Sequence, residues 1–449
     1  MGPIVSSLPV SLRYGRTYAK WREYIELSRK DSAFTTQMRI TQLQSLAVRA
    51  FDKSPYWREQ FISTYGTAFN PNLFTFEHLS ELPVLEKDTV RENAKGMLTV
   101  NRSEVDFVTT GGSSGKPLGF YLDKARSPKV FAFVSDNWAR SGYTENDVRC
   151  VFRGVHMKNV DVQPWEWNSG VRELRCSPFT MSDTNLDVYY NEINARRIKY
   201  LHGYPSALEI FARHVLNSGK RFREDILGIF PVSEPLLKSQ RVVLEEAFPK
   251  ANILPNYAMS ERVLYATEKE ADVYEFDPLF GHFELIGDAD EIIVSGNRGR
   301  IIGTGLLFGA MPLFRYDTGD QAELVSLPAE ENGWRGIVRD IQGRRGQEFC
   351  VGKNSELISI AAINIHSKKY VAVKEFQFFQ DQPGQAILRV VPATGSSGET
   401  LEALAKEFQK KIGSSLSIKL EIVKQIDRTM RGKKQFIDQR LELDKHLDV

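Results

Sequence analysis

Cysteine is scarce in this chain, with 3 among 449 residues. Cys150, Cys176 and Cys350 lie far apart in the sequence, so their spacing matches no metal-binding pattern. Because a small number of cysteines suits a reducing compartment, we expect a cytoplasmic protein.

Long apolar runs are absent as well. No run of 18 apolar residues occurs and the first residues lack the apolar core of a signal peptide, so we expect no contact with a membrane. The 59 lysines and arginines nearly balance 57 acidic residues, leaving a formal net charge of +2. This balance gives no electrostatic reason to expect a nucleic-acid partner.

The patterns that are present indicate an α/β protein. At 449 residues, with 42% hydrophobic content, the chain is long enough for two or three domains. The first hundred residues have a helical period, interrupted by prolines at positions 55 and 83. From about residue 105 to 320, short apolar runs alternate with amphipathic stretches, as layered α/β folds require. Strands are predicted there at 292–295, at 301–302 and in the run before Arg315.

The last hundred residues predict a separate, small α+β unit. Two strands, over 375–379 and 386–391, flank a turn, and a helical stripe from Leu401 to Ile412 ends at Gly413. Alternating apolar residues then predict another strand over 416–422. We expect this ββαβ unit to have its own core. The predicted domains are 1–342 and 343–449.

A loop with little side-chain bulk lies between two predicted strands, at 105–109 and 118–122. Its residues are Thr109, Thr110, Gly111, Gly112, Ser113, Ser114, Gly115, Lys116 and Pro117. Small residues let backbone N–H groups point inward and bind phosphate, although a solvated turn is the alternative. The loop is not the P-loop of NTPases, because proline follows the lysine and a strand follows the loop.

Five further polar segments follow the glycine-rich loop. They are Ser233-Glu234-Pro235, Asn256-Tyr257-Ala258-Met259-Ser260-Glu261, Arg315-Tyr316-Asp317-Thr318-Gly319-Asp320, Gly343-Arg344 and Arg428-Thr429-Met430-Arg431-Gly432-Lys433. Together, this order and spacing resemble the adenylate-forming superfamily of acyl-CoA synthetases. Segments 54–58, 82–88 and 202–206 resemble most the phenylacetate–CoA ligase-like group, including its capsular-polysaccharide-biosynthesis relatives.

The resemblance implies a fold and an activity. The fold is a large N-terminal adenylation domain of layered sheets and helices, with a small, mobile C-terminal α+β domain. The activity is ATP-dependent conversion of a carboxylic acid to an acyl-adenylate with release of pyrophosphate, followed by acyl transfer, by default to coenzyme A. A carboxylate, with a reference pKa of about 4, can attack the α-phosphate without a general base. Positioning and electrostatics then carry the catalysis, and no Ser-His-Asp triad is required.

Several alternatives remain open. The acyl group could pass to an amine or a hydroxyl, and the chain could instead be a nucleotide-binding scaffold without turnover. The residues do not identify the acid, and they do not indicate an oligomeric state.

The resemblance also implies site residues. Those for ATP are Thr109, Thr110, Gly111, Gly112, Ser113, Ser114, Gly115, Lys116, Ser233, Glu234, Pro235, Asn256, Tyr257, Ser260, Asp320 and Arg344. The glycine-rich loop would hold the β- and γ-phosphates, and Tyr257 would stack on adenine. Asp320 would accept from the ribose hydroxyls, assisted by Arg344.

The remaining implied roles concern catalysis and the acyl group. Glu261 would hold Mg²⁺ through a carboxylate oxygen, as this cation prefers. Lys433, with Lys434 as the alternative, would bridge the acid and the phosphate. Tyr204 and Ala258 would border the acyl group, although Tyr204 could equally be a core residue.

Two departures from the family pattern concern substrate size and domain movement. Ala258 stands where relatives usually have glycine, and its methyl group should narrow the acyl pocket. Gly346 and Gln347 stand where relatives usually carry Asp or Lys at the pivot between the domains.

Overall fold

The computed structural model describes residues 10–110, 118–154, 157, 160, 162–287, 289–291, 293–343, 349–359, 363, 367–393, 395–427 and 436–442. Within these ranges, no helix combines the length and apolarity that crossing a bilayer requires.

The N-terminal region is helical, as predicted. Its helices are α1 (Val10–Lys30), α2 (Ser32–Lys53), α3 (Pro55–Tyr65), α4 (Phe76–Glu81) and α5 (Lys87–Asn93). The Asp31 side chain accepts from the backbone N–H of Phe34 and begins α2. Ser54 caps α3 in the same way, with Pro55 at the first helical position.

A β-hairpin follows these helices. Strands β1 (Val105–Thr110) and β2 (Leu118–Asp123) pair antiparallel, with Thr110 opposite Leu118. The predicted strand–loop–strand setting of the glycine-rich loop is therefore confirmed. Helix α6 (Ser127–Ala139) leads from the hairpin to the next sheet.

A mainly parallel sheet forms the centre of the molecule. Its strands are β3 (Arg149–Phe152), β4 (Trp165–Asn168), β5 (Glu173–Cys176), β6 (Tyr200–Gly203), β7 (Gly228–Pro231) and β8 (Asn252–Ile253). Its helices are α7 (Asp183–Ala195), α8 (Pro205–Ser218) and α9 (Lys238–Ala247). In the order β4-β5-β3-β6-β7-β8, all strands but β4 run parallel. The chain places β5 on one side of β3 and β6 on the other, and such a switch point opens a crevice at the carboxyl ends of the strands.

An antiparallel sheet follows. Its strands are β9 (Asn256–Ala258), β10 (Tyr265–Glu270), β11 (Val273–Phe276), β12 (Gly281–Ile286), β13 (Arg298–Gly305), β14 (Tyr316–Ser326) and β15 (Ile337–Gln342). They are arranged in the order β12-β13-β14-β15-β11-β10-β9. The predicted strand at 301–302 lies within β13.

Two of the predicted strands are wrong. Residues 293–295 lie outside any strand, as does the run before Arg315. Leu313 and Phe314 in that run are 5% and 1% exposed, so their apolar character reflects burial rather than extended backbone. Arg315 itself has φ 45°, which interrupts the extended conformation before β14 begins.

The C-terminal unit is defined as the described residues from 349 to 442, and its part from 373 to 422 has the predicted ββαβ order. Its elements are β16 (Phe349–Val351), β17 (Leu357–Ser359), β18 (Val373–Gln382), β19 (Gln385–Pro392), α10 (Gly398–Ile412), β20 (Ser417–Ile422) and β21 (Ile437–Gln439). The main sheet has the order β20-β19-β18-β21. Helix α10 ends at Gly413, whose φ of 71° suits glycine.

The expected separate core of this unit is wrong. Phe378 and Phe408 belong to the same buried apolar cluster as Phe152, Leu201 and Phe211 of the parallel sheet and its helices. The C-terminal unit therefore buries apolar surface against the central sheet, which its own sequence pattern could not reveal.

Gly203 permits the close approach of β6 to β3. A Cβ at this position would lie 2.4 Å from the backbone oxygen of Phe152. We predict that Gly203→Ala lowers stability by roughly 1–3 kcal/mol, because the two strands must separate. Thermal unfolding measures the effect. Gly398→Ala is the control, since a Cβ there meets nothing within 4 Å; equal unfolding temperatures for the two variants would contradict the prediction.

Candidate functional site

Tyr257 and Asp320 meet between β9 and β14. The Tyr257 hydroxyl donates to Asp320 Oδ2 at 2.9 Å. Asp320 is positioned by its own backbone N–H, which donates to Thr318 Oγ1 at 3.1 Å. Thr318 in turn donates to the backbone oxygen of Ile301 at 2.8 Å. Burial, together with the Asp320 charge, raises the pKa of Tyr257, so this hydroxyl remains a donor at neutral pH.

Glu261 is held by a second tyrosine. Tyr316, at the start of β14, donates its hydroxyl to Glu261 Oε1 at 2.9 Å. Burial and the Glu261 charge raise the pKa of Tyr316 above its usual value. The ion pairs of the described residues do not include one between Glu261 and Arg262. Glu261 and Arg262 therefore do not form the surface ion pair that adjacent opposite charges suggest.

Glu234 lies at the N-terminus of α8. Its carboxylate accepts from the Ser206 backbone N–H at 3.1 Å and from Ser206 Oγ at 3.2 Å. An acidic group is stabilised there by the positive end of the helix dipole. The neighbouring Ser233 is exposed and has φ 70°, a conformation that is uncommon outside glycine and is often found at functional sites.

Tyr204 and Ala258 differ in exposure. Tyr204 is 5% exposed and belongs to the apolar core, while its hydroxyl accepts from the Gly154 backbone N–H at 3.1 Å. Ala258 is exposed at the end of β9. Tyr204 is thus a core residue that also presents a polar atom at the carboxyl end of β3. Asn256 and Ser260, on either side of Tyr257, are half-buried, and Pro235 is exposed.

The strand that leads into the glycine-rich loop contacts the C-terminal unit. Thr109 is buried, and its hydroxyl donates to the Ser367 backbone oxygen at 3.0 Å and accepts from the Ser367 N–H at 3.1 Å. A second contact joins the Ser415 hydroxyl to the backbone oxygen of Phe179. The C-terminal unit therefore touches both the hairpin and the loop after β5.

Several predicted site residues lie outside the described residues. They are Gly111, Gly112, Ser113, Ser114, Gly115, Lys116, Arg344 and Lys433, together with the Thr110 side chain and the hinge positions Gly346 and Gln347. The described part of the chain brings Tyr257, Asp320 and Glu261 together around β14. It contains no group of three or more His, Cys, Asp or Glu residues that could hold a metal ion.

Sequence reasoning missed the partners that hold the site. Tyr316 lies inside the segment 315–320, so its hydroxyl could have been noted as a donor. The contact of Ser206 with Glu234 joins positions 28 apart and has no sequence signal.

Comparison with known proteins finds one matching family model and similar proteins that cover most of this chain. A family model described as the CapK C-terminal domain matches residues 351–440. Protein CapK of Staphylococcus aureus is 25% identical over 376 residues, covering 81% of this chain and 80% of its own length. Phenylacetate-coenzyme A ligase of Aromatoleum evansii is 25% identical over 442 residues, covering 91% of this chain and 96% of its own length.

A solved structure has the same fold. 2-Hydroxyisobutyryl-CoA ligase, in complex with 2-HIB-AMP and CoA in the thioesterification state, superposes with a TM-score of 0.56. The identity is 17%, and the match covers 92% of this chain and 91% of that one. The predicted fold class is therefore confirmed.

The Thr109–Ser367 contact allows a test of how the C-terminal unit is held. We predict that Thr109→Val weakens its attachment by about 1–3 kcal/mol, because the buried N–H and oxygen of Ser367 lose their partner. Hydrogen–deuterium exchange at residues 367–373 should become faster.

Thr64→Val is the matched control. Thr64 is exposed on α3, and its hydroxyl donates only within the helix, to the Gln60 backbone oxygen at 2.9 Å. Unchanged exchange at 367–373 in Thr109→Val would show that this contact does not hold the unit.

Proposed function

We propose that this chain, which is similar to CapK and to phenylacetate-coenzyme A ligase and shares the fold of 2-hydroxyisobutyryl-CoA ligase, is an AMP-forming carboxylate ligase of the adenylate-forming superfamily. It converts a carboxylic acid and ATP to an acyl-adenylate and pyrophosphate, and then transfers the acyl group to coenzyme A. The observation that carries the proposal is the placement of Tyr257, Asp320 and Glu261 around β14. By the resemblance, Tyr257, Glu261 and Asp320 correspond, in chain order, to the residues that the superfamily uses for adenine, magnesium and ribose.

The chemistry needs alignment more than proton transfer. An oxygen of the ionised acid attacks the α-phosphorus, and the bond between that phosphorus and the bridging oxygen breaks, releasing pyrophosphate. The proposed nucleotide site contributes fixed groups, because the hydrogen bond at 2.9 Å orients Tyr257 and Asp320 before ATP arrives. Groups oriented in advance need no reorganisation during the reaction.

Glu261 suits a magnesium site. Its carboxylate is a hard oxygen ligand, held by one hydrogen bond from Tyr316 at 2.9 Å. Mg²⁺ is commonly bound by one or two carboxylates with water and substrate phosphates as the other ligands, so a larger protein cluster is not required. When bound, the ion would neutralise phosphate charge, and Glu261 would anchor it.

The remaining assignments extend the proposal along the chain. The glycine-rich loop from Thr109 to Lys116 holds the outer phosphates, and Arg344 assists Asp320. The domains are 1–342 and 343–449, and Lys433 reaches from the second into the site of the first. A cytoplasmic location agrees with the absence of a disulfide among the three cysteines, all of which lie in the described residues.

Coenzyme A as the acceptor is supported by two similar proteins. Both phenylacetate-coenzyme A ligase and 2-hydroxyisobutyryl-CoA ligase carry coenzyme A in their names, and the match extends over about nine-tenths of this chain in each case. The decisive experiment is exchange of pyrophosphate into ATP across aryl, fatty and hydroxy acids, followed by product analysis with coenzyme A. Formation of an amide or an ester instead of a thioester would show that the acceptor is an amine or a hydroxyl rather than coenzyme A. ATP binding without any exchange would favour a nucleotide-binding scaffold.

Lys433 provides a mutational test of the first step. We predict that Lys433→Ala lowers pyrophosphate exchange about 100-fold or more, because it removes a cation that stabilises the transition state. ATP binding, measured by calorimetry, should change little. Lys434→Ala is the matched control. Loss of exchange in that variant alone would move the assignment by one residue.

Tyr257 provides a test of the nucleotide site. Tyr257→Phe keeps the ring but removes the hydroxyl that binds Asp320. We predict that the KM for ATP rises roughly tenfold, as expected for loss of a charge-assisted hydrogen bond of about 1.5 kcal/mol. Tyr274→Phe, at a half-buried tyrosine on β11 of the same sheet, is the control. An equal effect of both variants on KM would exclude a specific role for Tyr257.

A further inference from the structure

Strand β20 forms one edge of the main C-terminal sheet. In the order β20-β19-β18-β21 its strand partner is β19, to which it pairs in parallel with a continuous register. The Ser417 N–H donates to the Gly384 oxygen, before β19, at 2.9 Å. Because backbone groups alternate in direction along a strand, those of Ile418, Leu420 and Ile422 point away from β19.

Two of these outward N–H groups have no partner in the described part of the chain. The Ile418 N–H donates to Gln409 Oε1 at 2.8 Å, which covers the beginning of the edge. The hydrogen bonds of the described residues include none from the N–H of Leu420 or Ile422. The Ile422 side chain is 54% exposed, although Ile418 and Leu420 pack against the apolar cluster. The edge therefore presents unpaired backbone groups together with an exposed apolar side chain.

The edge lacks most of the features that prevent a strand from pairing with another chain. Exposed edges are commonly protected by proline, by a bulge, by very short length or by a charged side chain, often lysine. β20 has 6 residues, contains no proline and shows no register shift against β19. It does carry Lys419, but Glu421 follows two positions later and is also exposed. A strand with the complementary order of charges would therefore meet attraction instead of repulsion.

The strand with the complementary order is β20 itself. Its sequence Ile-Lys-Leu-Glu-Ile matches itself when two copies run antiparallel about Leu420. Lys419 of each copy then lies opposite Glu421 of the other. In the same way, Ile418 lies opposite Ile422. Opposite charges that face each other across two strands stabilise the pair, and a two-fold interface requires such self-matching because each of its contacts occurs twice.

We propose that β20 is a self-association edge, through which two copies of this protein pair antiparallel and join their C-terminal sheets. The Leu420 N–H of each copy donates to the Leu420 oxygen of the other, and the Ile422 N–H donates to the Ile418 oxygen. The Gln409 side chain keeps the Ile418 N–H, so the pairing ends at this residue. The inference is independent of the proposed function, since β20 contains none of the proposed site residues.

The charges on β20 are available for this contact. The ion pairs of the described residues do not include Lys419, whereas Glu421 Oε2 accepts from Arg389 Nε at 3.3 Å. Arg389 also binds Asp438, at 3.4 Å. The Glu421 side chain is 49% exposed, and a carboxylate has two oxygens that accept hydrogen bonds. Lys419 of a second copy can therefore bind Glu421 while Arg389 remains in place.

The expected association is weak and depends on salt. Pairing over one short strand buries little surface, and interfaces below about 1,200 Å² are typical of transient complexes. The ion pairs between the copies are exposed, so dissolved salt screens them. We therefore expect a reversible dimer with a dissociation constant in the micromolar range, which rises with ionic strength.

Sedimentation equilibrium of the full chain tests the inference. The natural protein at about 100 μM should contain dimer. Lys419→Glu should raise the dissociation constant at least about tenfold, because like charges then face each other twice, and Glu421→Lys should have the same effect. When the two variants are mixed in equal amounts, they should form a heterodimer. Each changed charge in one chain then faces the opposite charge in the other.

Two further variants separate the edge from the rest of the sheet. Lys374→Glu makes the same charge change at an exposed lysine of β18, an interior strand, and should leave the dissociation constant unchanged. Ile422→Pro removes an outward N–H that bonds only in the dimer, and edge strands tolerate proline where the N–H points outward. It should weaken association about tenfold or more. The unfolding temperature of each variant shows whether it is folded.

Several results would overturn the inference. One is a natural protein that stays monomeric at the concentration of the test. Another is a dimer whose dissociation constant is the same in Lys419→Glu and Ile422→Pro as in the natural protein, or is raised equally by Lys374→Glu. Absence of a heterodimer in the mixture of the two charge variants would also place the interface elsewhere. Because sedimentation needs no substrate, failure of the ligase function would not change any of these outcomes.

Discussion

The packing of the C-terminal unit against the carboxyl end of the parallel sheet is the constraint on which the other features depend. One buried apolar cluster extends from Phe152 on β3 to Phe408 on α10. Because burial of apolar surface is the main stabilising term, this shared cluster fixes the unit more firmly than its polar contacts could. The polar contacts then determine its orientation, through Ser367 with Thr109 and through Ser415 with Phe179. The hairpin that carries the glycine-rich loop is thereby tied to the C-terminal unit.

Two tyrosine–carboxylate pairs give the proposed nucleotide site its rigidity. Tyr257 with Asp320 and Tyr316 with Glu261 each have a separation of 2.9 Å, and both involve β14. In each pair the raised pKa of the tyrosine keeps a neutral donor beside a carboxylate, so the carboxylate is oriented without being neutralised. An arginine in the place of either tyrosine would form an ion pair with the carboxylate and would compete with the ribose or magnesium ion that the proposed function assigns to it. Tyrosine orients these acids and leaves their charge available.

The sequence predicted what local signals determine. The capped N-terminal helices, the strand–loop–strand hairpin and the ββαβ unit all follow from period, turn residues and caps within a few positions of each other. The order of the motifs indicated the superfamily because residues from motifs spread along the whole chain would contribute to one site. Prediction failed where an apolar run is buried without being a strand, as at Leu313 and Phe314. It also missed Tyr316 as the partner of Glu261 and Lys411 as a neighbour of Gly154, since both contacts join elements that are distant in the chain.

The peptide between Glu261 and Arg262 separates two electrostatic environments. Glu261 is bonded to β14, on the side of Tyr257 and Asp320, whereas Arg262 lies in the field of Arg153 from β3. Arg262 has φ 60°, a left-handed conformation that costs a residue with a side chain on the order of 1 kcal/mol. That cost is understandable if the turn must send two adjacent, opposite charges apart instead of letting them pair. An ion pair between these neighbours would neutralise both groups, including the Glu261 carboxylate whose charge the proposed magnesium role requires.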